Sequence, residues 1–251
     1  MALGVSRNGA ESEPLEPEPV QTGGGKRGDD TGCSPCFQGF LAHGVLCLSQ
    51  GALVPYELQL VIDRFLPLDH IAPLLDAGVD SIQIRIRAKS TVELLRYTRE
   101  AVQLSHAKPV RVTVNTRVDV ALAAGADGVQ LPGHGVSPGE TRLIAPALAI
   151  GRSVHSVAEA LVAEHDGAHW ITFGHVYASA SHPGEPGRGL AALEEVVSAS
   201  PVPVIAIGGL SPGNVAEVVR RGAAGVAVIG SVWNAKDPVD QVRRMREELD
   251  S

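Results

Sequence analysis

From about residue 57 onward, short apolar runs alternate with amphipathic stretches in a regular order. Leu58-Gln59-Leu60-Val61-Ile62 is an apolar run of strand length, and residues 68–77 have helical spacing closed by Gly78. Ser81-Ile82-Gln83-Ile84-Arg85-Ile86-Arg87 reads as a strand running into charge. Ser90 or Thr91 can cap a helix that reaches about Ser105, with Leu94, Leu95 and Val102 at helical spacing. A strand over 110–114 ends in Asn115-Thr116-Arg117, a short helix over 118–124 is closed by Gly125, and 128–131 is the next strand. The alternation continues with a helix over 137–145, a strand over 148–153, a helix over 156–165 and a strand over 169–173. A helix over 190–198 precedes a strand over 202–207 that ends in Gly208-Gly209. Ser211 is expected to cap a helix through Arg221 with Pro212 in its first position. The strand over 225–229 is the last, and Asp237 caps a final helix through Leu249.

About eight strand-helix units in roughly 190 residues imply a parallel sheet with helical crossovers. Strands apolar on both faces favour closure over an open sheet, so the expected fold is a (β/α)8 TIM barrel. A repeated phrase supports this: Ala77-Gly78-Val79-Asp80, Ala124-Gly125-Ala126-Asp127-Gly128 and Arg221-Gly222-Ala223-Ala224-Gly225 each stop a helix and feed the next strand. Asp80 and Asp127 thereby fall at the end of the barrel away from any chemistry.

Residues 1–56 break the pattern. Glu-Pro alternation at residues 13–19 passes into Gly23-Gly24-Gly25, a composition that buries too little apolar surface to offset chain entropy. The expected organisation is a disordered extension over 1–56 and a catalytic barrel over 57–251. All three cysteines, Cys33, Cys36 and Cys47, lie in the extension beside His43. Their irregular spacing in a Gly- and Pro-rich context reads as reduced, solvated thiols rather than a zinc site. A net charge of -7 argues against a nucleic-acid surface. No apolar run approaches the roughly 18 residues of a membrane span, and no secretory signal is visible. A cytoplasmic protein without nucleic-acid or membrane partners is expected.

In a barrel of this kind the chemistry gathers just after each strand. Those positions hold Gln83, Arg85 and Arg87, then Asn115 and Arg117, then Gln130 with Pro132-Gly133-His134-Gly135. His155, His175, Gly208-Gly209 and Gly230-Ser231 follow. The glycines after the seventh and eighth strands suit a phosphate held on backbone N–H groups. Arg85, Arg87, Arg117 and Arg152, with Lys89 behind them, argue for an anionic ligand, although strand alternation turns some of them outward. His155 can both give and take a proton near neutral pH.

Together these motifs resemble the thiamine phosphate synthase/TenI superfamily. The resemblance rests on Gln83-x-Arg85-x-Arg87, Asn115-x-Arg117, Gly-Ala-Asp-Gly-Val-Gln-Leu at 125–131 and Gly-Arg-Ser-Val-His-Ser at 151–156. Phe-Gly-His-Val-Tyr at 173–177, Gly-Arg-Gly at 187–189, Ala-Ile-Gly-Gly-Leu at 206–210 and Gly-Val-Ala-Val-Ile at 225–229 complete it. It covers residues 58 to about 249.

Within the superfamily, synthases carry two aspartates that hold the magnesium of a pyrimidine pyrophosphate. At those places this chain has Thr116 and the 132–135 loop, and Ala178-Ser179-Ala180-Ser181-His182 replaces a Thr-x-Thr-Lys stretch. The resemblance therefore implies the TenI branch: a thiazole tautomerase, an isomerase that aromatises a thiazole carboxylate phosphate. His155 would be its acid/base, with no metal or other cofactor. Gln83, Arg85, Arg87, Asn115, Gln130, His175, Gly208, Gly209, Gly230 and Ser231 would bind the phosphorylated thiazole. The alternatives are a thiamine phosphate synthase, a transferase joining thiazole phosphate to pyrimidine pyrophosphate, and a non-catalytic thiazole phosphate binder. Members of the family are often dimers, so a homodimer is expected.

Overall fold

The structure, a computed structural model, describes residues 56–251. The expectations of a disordered extension and of uncoordinated Cys33, Cys36 and Cys47 fall outside the described residues. Eight strands run β1 (Glu57–Ile62), β2 (Ser81–Ile84), β3 (Arg111–Asn115), β4 (Gly128–Leu131), β5 (Ala149–Val154), β6 (Trp170–Gly174), β7 (Val204–Ile207) and β8 (Gly225–Val228). The helices between and after them are α1 (Leu68–Asp76), α2 (Thr91–His106), α3 (Val118–Ala124), α4 (Pro138–Ile144) and α5 (Val157–His165). They continue with α6 (Gly189–Ala199), α7 (Val215–Arg220), α8 (Gly230–Trp233) and α9 (Pro238–Leu249). The strands close in chain order into one parallel barrel, with Glu57 of β1 beside Gly225 of β8. The (β/α)8 expectation is met.

Alternation along each strand sorts side chains into two layers. Leu58, Leu60 and Ile62 of β1, Ile82 and Ile84 of β2 and Val112 and Val114 of β3 face the helices in one large apolar cluster. The opposite set faces the barrel axis. Val61, Trp170, Ile205 and Ala227 form an apolar plug on one side of that axis. Glu57, Gln59, Ser81, Gln83, Arg111, Thr113, Gln130 and Thr172 are buried and polar. Such an interior departs from the branched apolar layers usual in these barrels.

The helix ends follow the local chemistry. Ser90 accepts the Glu93 N–H at 3.3 Å, Ser137 and Glu140 form a reciprocal capping box, and Asp237 accepts the Val239 and Asp240 N–H groups. Asp80 Oδ2 accepts the Leu58 N–H at 2.7 Å, and Asp127 Oδ2 accepts the Val112 N–H at 2.6 Å. Both aspartates thus tie strand starts together at the amino end of the barrel.

Three expected boundaries are corrected. β2 stops at Ile84, so Arg85 to Arg87 belong to the following loop. The helix expected to start at Ser211 starts at Val215 instead. Ser211 donates its N–H to Asn214 Oδ1 at 3.0 Å, and Gly213 takes a positive φ of 95°, so this stretch closes as a turn before the helix begins. Finally, β8 yields at Val228 to the short helix α8, which the sequence pattern did not show. Trp233 anchors it by donating Nε1–H to the Val61 carbonyl at 2.7 Å.

Candidate functional site

A cavity of about 660 Å³ opens at the carboxyl ends of the strands. That volume suits a small organic ligand. Gln83, Arg85, Asn115, Gln130, His155, His175, Gly208, Gly209, Gly230 and Ser231 all line it. Arg87 does not: it sits exposed in the loop beyond β2, where strand alternation no longer aims side chains at the axis. Its expected contact with ligand is withdrawn.

Two of the other expected cations, Arg117 and Arg152, have structural partners. Arg117 pairs with Asp119, its Nε 2.8 Å from Oδ1, and also reaches the Thr91 hydroxyl. That pairing holds the Asp119 carboxyl below its ordinary range. Arg152 donates to three carbonyls of the β4–α4 loop, those of Gly133 (2.8 Å), Val136 (2.6 Å) and Gly135 (3.3 Å). It shapes the loop that carries His134 to the cavity wall. Arg85 alone of the expected arginines faces the cavity, and Arg64, two residues past β1, joins it. Asp63-Arg64 could have been found by extending the strand-end rule to the first strand. Ser153 and Thr172 also line the cavity, and they follow from period-two alternation on β5 and β6.

The phosphate-type cradle is built from close backbone approach. Gly208 has φ +103° and Gly209 φ +69°, conformations that L side chains rarely adopt. A Cβ on Gly208 would overlap His175, and one on Gly209 would come within 2.6 Å of the Ala178 carbonyl. Glycine there lets β7 run under the β6 loop and leaves backbone facing the cavity. The buried hydroxyls of Ser179 and Ser231, both on the cavity lining, have no hydrogen-bond partner among the described residues. An anion with several acceptor oxygens would satisfy them.

The histidines are held in defined states. His155 Nδ1 lies 2.8 Å from the Gly174 carbonyl, which can only accept, so Nδ1 carries the proton and Nε2 is left for the cavity. His155 also donates its backbone N–H to Glu159 Oε2 at 2.8 Å. The group that orients His155 is therefore a backbone carbonyl. His175 Nε2 donates to the Pro186 carbonyl at 3.1 Å, and its ring stacks on His182 with centroids 4.4 Å apart. Arg188 Nε donates to the same Gly174 carbonyl at 2.9 Å, tying the β6–α6 loop to this corner.

Thr116 occupies a left-handed conformation, φ +66°, unusual for a β-branched residue. Its side chain accepts from Asn115 Nδ2 at 2.8 Å rather than facing a ligand. A divalent cation held by the protein would need carboxylates on the cavity wall. Asp63 is the sole acidic side chain among the lining residues, and Arg64 Nε engages it at 2.8 Å. Among the described residues no three His, Cys, Asp or Glu side chains converge on a metal position. The donors present do not fit such a cation.

Fold and cavity together define a (β/α)8 barrel with a polar, cation-rimmed ligand site at the carboxyl ends of its strands. The chain belongs to the thiamine monophosphate synthase (TMP-TENI) family, whose model matches residues 58–232. It is similar to the thiamine-phosphate synthase of Pyrococcus furiosus, 37% identical over 195 residues that cover 77% of this chain and 92% of that protein. The thiamine-phosphate synthase of Anaeromyxobacter dehalogenans is 37% identical over 196 residues, covering 77% of this chain and 88% of that protein. Among solved structures, a thiamine phosphate pyrophosphorylase from Pyrococcus furiosus superposes with a TM-score of 0.73 at 34% identity, covering 78% of this chain and 96% of that one.

These relatives are synthases, and they overturn the expectation of a thiazole tautomerase and of an isomerase. That expectation leaned on three local departures, Thr116, the 132–135 loop and the stretch 178–182, and on the motifs around His155 and His175. Identity spread along the whole barrel sides with the synthases instead. The proton shift assigned to His155 goes with the tautomerase. Among the described residues no helix is long and apolar enough to cross a membrane.

Proposed function

We propose that this chain is a transferase of the thiamine-phosphate synthase kind, joining a thiazole phosphate to a pyrimidine diphosphate. In that reaction the thiazole ring nitrogen forms a bond to the pyrimidine methylene carbon. The carbon–oxygen bond to diphosphate breaks, and diphosphate leaves with the electron pair. The observation that carries the reading is one cavity combining a glycine cradle, an amide-rich floor and a basic mouth, in a chain 37% identical to named synthases. Gly208, Gly209, Gly230 and Ser231 would hold the phosphate monoester on β7 and β8. Gln83, Asn115 and Gln130 would meet the edges of the heterocycles. Arg85 and Arg64 would meet the charge that develops on the leaving diphosphate. His175, held to Pro186, would back the cradle at Gly208. A cytoplasmic homodimer acting on small molecules, without nucleic-acid or membrane partners, completes the reading.

The test is direct. Purified protein is given both substrates with and without added magnesium, and thiamine phosphate is read as fluorescent thiochrome after oxidation. Turnover that falls at least about tenfold in Arg85→Met supports the transferase, since loss of one charge-stabilising donor typically costs about 10²–10³ in rate. No product under any metal condition, with thiazole phosphate still bound, would refute it. The lone, already paired carboxylate on the wall favours a second reading in that case, a binder that holds thiazole phosphate without transferring it.

A further inference from the structure

The cavity floor is wired to the closed end of the barrel by a continuous chain of buried hydrogen bonds. Arg111 of β3 pairs with Glu57 of β1, Nη2 to Oε2 at 2.8 Å. The Ser81 hydroxyl donates to Glu57 Oε1 at 2.6 Å, Gln59 Nε2 donates to Ser81 Oγ at 3.2 Å, and Gln83 Nε2 donates to Gln59 Oε1 at 3.0 Å. All five side chains are buried, from Ser81 at 1% exposure to Arg111 at 9%. Gln83, the last of them, lines the cavity.

The direction of this chain is dictated by its charged end. An ionised carboxylate only accepts, so the Ser81 proton is committed to Glu57. Ser81 can then only accept from its next neighbour, which turns the Gln59 NH2 group toward it. The Gln59 carbonyl is left facing Gln83 and forces the Gln83 NH2 group inward. What Gln83 presents to the cavity is its carbonyl, an acceptor. An amide alone could sit either way round; here the alternative sense of Gln59 would place its NH2 group against the Gln83 NH2 group and its carbonyl against the Ser81 oxygen, whose proton is committed to Glu57. Buried mismatches of that kind cost more than the hydrogen bonds contribute.

A second relay on β4 to β6 is locked in the opposite sense. Trp170 Nε1 can only donate, and it meets Gln130 Oε1 at 2.9 Å, joined there by the Thr172 hydroxyl at 3.2 Å. Gln130 therefore turns its NH2 group to Ser153 Oγ, 3.1 Å away, which leaves the Ser153 hydroxyl proton for the cavity. The floor thus shows an acceptor on β2 and donors on β4 and β5. That pattern is complementary to a flat heterocycle bearing an amino group beside ring-nitrogen acceptors.

We propose that the charge of Glu57, at the closed end of the barrel, sets the hydrogen-bond polarity of Gln83 at the open end and so selects an amino-bearing ring over its oxo counterpart. Glu57, Ser81 and Gln59 are positioning residues in this scheme, since none of them lines the cavity. The choice of ring rests on the synthase reading; the polarity of the column does not.

Two readouts separate these. The first needs no ligand: hydrogen exchange of the Gln83 side-chain amide, followed by ¹⁵N NMR in wild type and in Ser81→Ala, with Gln83→Met identifying the signal. Ser81→Ala keeps the Glu57–Arg111 pair, whereas Glu57→Gln strands a buried guanidinium and risks the fold. Faster exchange by about tenfold or more in Ser81→Ala is expected, and unchanged exchange would overturn the column. The second is the ratio of dissociation constants for a 4-aminopyrimidine carrying a 5-methylene diphosphate and for its 4-oxo analogue. Wild type should favour the amine by at least about tenfold and Ser81→Ala by no more than about threefold. A ratio unaltered by Ser81→Ala would overturn the proposal. If wild type binds neither pyrimidine, the synthase reading fails, and the exchange measurement alone decides whether Glu57 sets the polarity of Gln83.

Discussion

His169, just ahead of β6, gives this barrel an acid sensitivity whose size can be worked out. Its Nδ1 accepts the Ile150 N–H at 2.8 Å, a bond that requires the neutral ring. Burial, reinforced by the nearby Arg142 guanidinium, lowers its pKa from 6.5 to about 4. The unfolded chain keeps the ordinary value, so between about pH 6.5 and pH 4 it binds more protons than the folded one. Folding stability is then full above pH 6.5 and falls as pH drops toward 4. At one pKa unit per 1.36 kcal/mol, this group removes about 2 kcal/mol between pH 8 and pH 5. Partial exposure of the ring reduces that to roughly 1–2 kcal/mol. Urea unfolding at pH 8 and pH 5, wild type beside His169→Asn, isolates the effect because the other titrating groups are common to both. The amide oxygen of Asn can still accept from Ile150 but does not titrate. The variant should lose about 1–2 kcal/mol less than wild type on acidification. Equal losses would refute the assignment of a neutral His169 to the folded state. The consequence reaches the site, since β5 and β6 carry Ser153, Thr172 and the His155–Gly174 contact.

Two further substitutions probe the walls. A Cβ on Gly151 would overlap the Trp170 ring and Gln130 Oε1; Gly151→Ala should cost about 2–4 kcal/mol through overpacking and the lost Trp170–Gln130 bond, read by urea unfolding and a shifted Trp emission. Arg152→Met keeps the aliphatic stem and removes three carbonyl contacts, so amide exchange over 133–136 should rise at least about tenfold while the core strands stay protected.

The cavity floor is held by hydrogen bonds between buried polar side chains and not by apolar packing alone. Side chains along the axis are satisfied by one another across strands, from Glu57–Arg111 up to Gln83 and from Trp170 up to Ser153. A buried network paired within itself except at its cavity-facing ends resists reorganisation, because moving an inner member leaves another unsatisfied. The apolar plug of Val61, Trp170, Ile205 and Ala227 fills the remaining side of the axis. Ligand selection at one end of the barrel is thereby coupled to residues at the other.

Local chemistry along the chain was enough for much of this protein. The barrel follows from apolar period and from helix boundaries such as the stop at Gly125 and the start at Asp237, because strand length, amphipathic spacing and caps are written within a few residues of each other. The strand-end rule likewise placed Gln83, Gln130, His155 and the glycine pairs on one cavity, since closure alone brings strand ends together. What it missed is non-local. Arg87, Arg117 and Arg152 look like one basic cluster in the sequence, yet loop geometry sends one to solvent and the other two to Asp119 and to backbone carbonyls. The reaction class was misread for a related reason: a few departing positions outweighed similarity distributed over the barrel. The direction of every amide on the cavity floor belongs to the tertiary structure alone. It depends on a carboxylate and an indole brought beside glutamines by strand register, and no spacing along the chain records which end of an amide faces a neighbour 24 or 40 residues away.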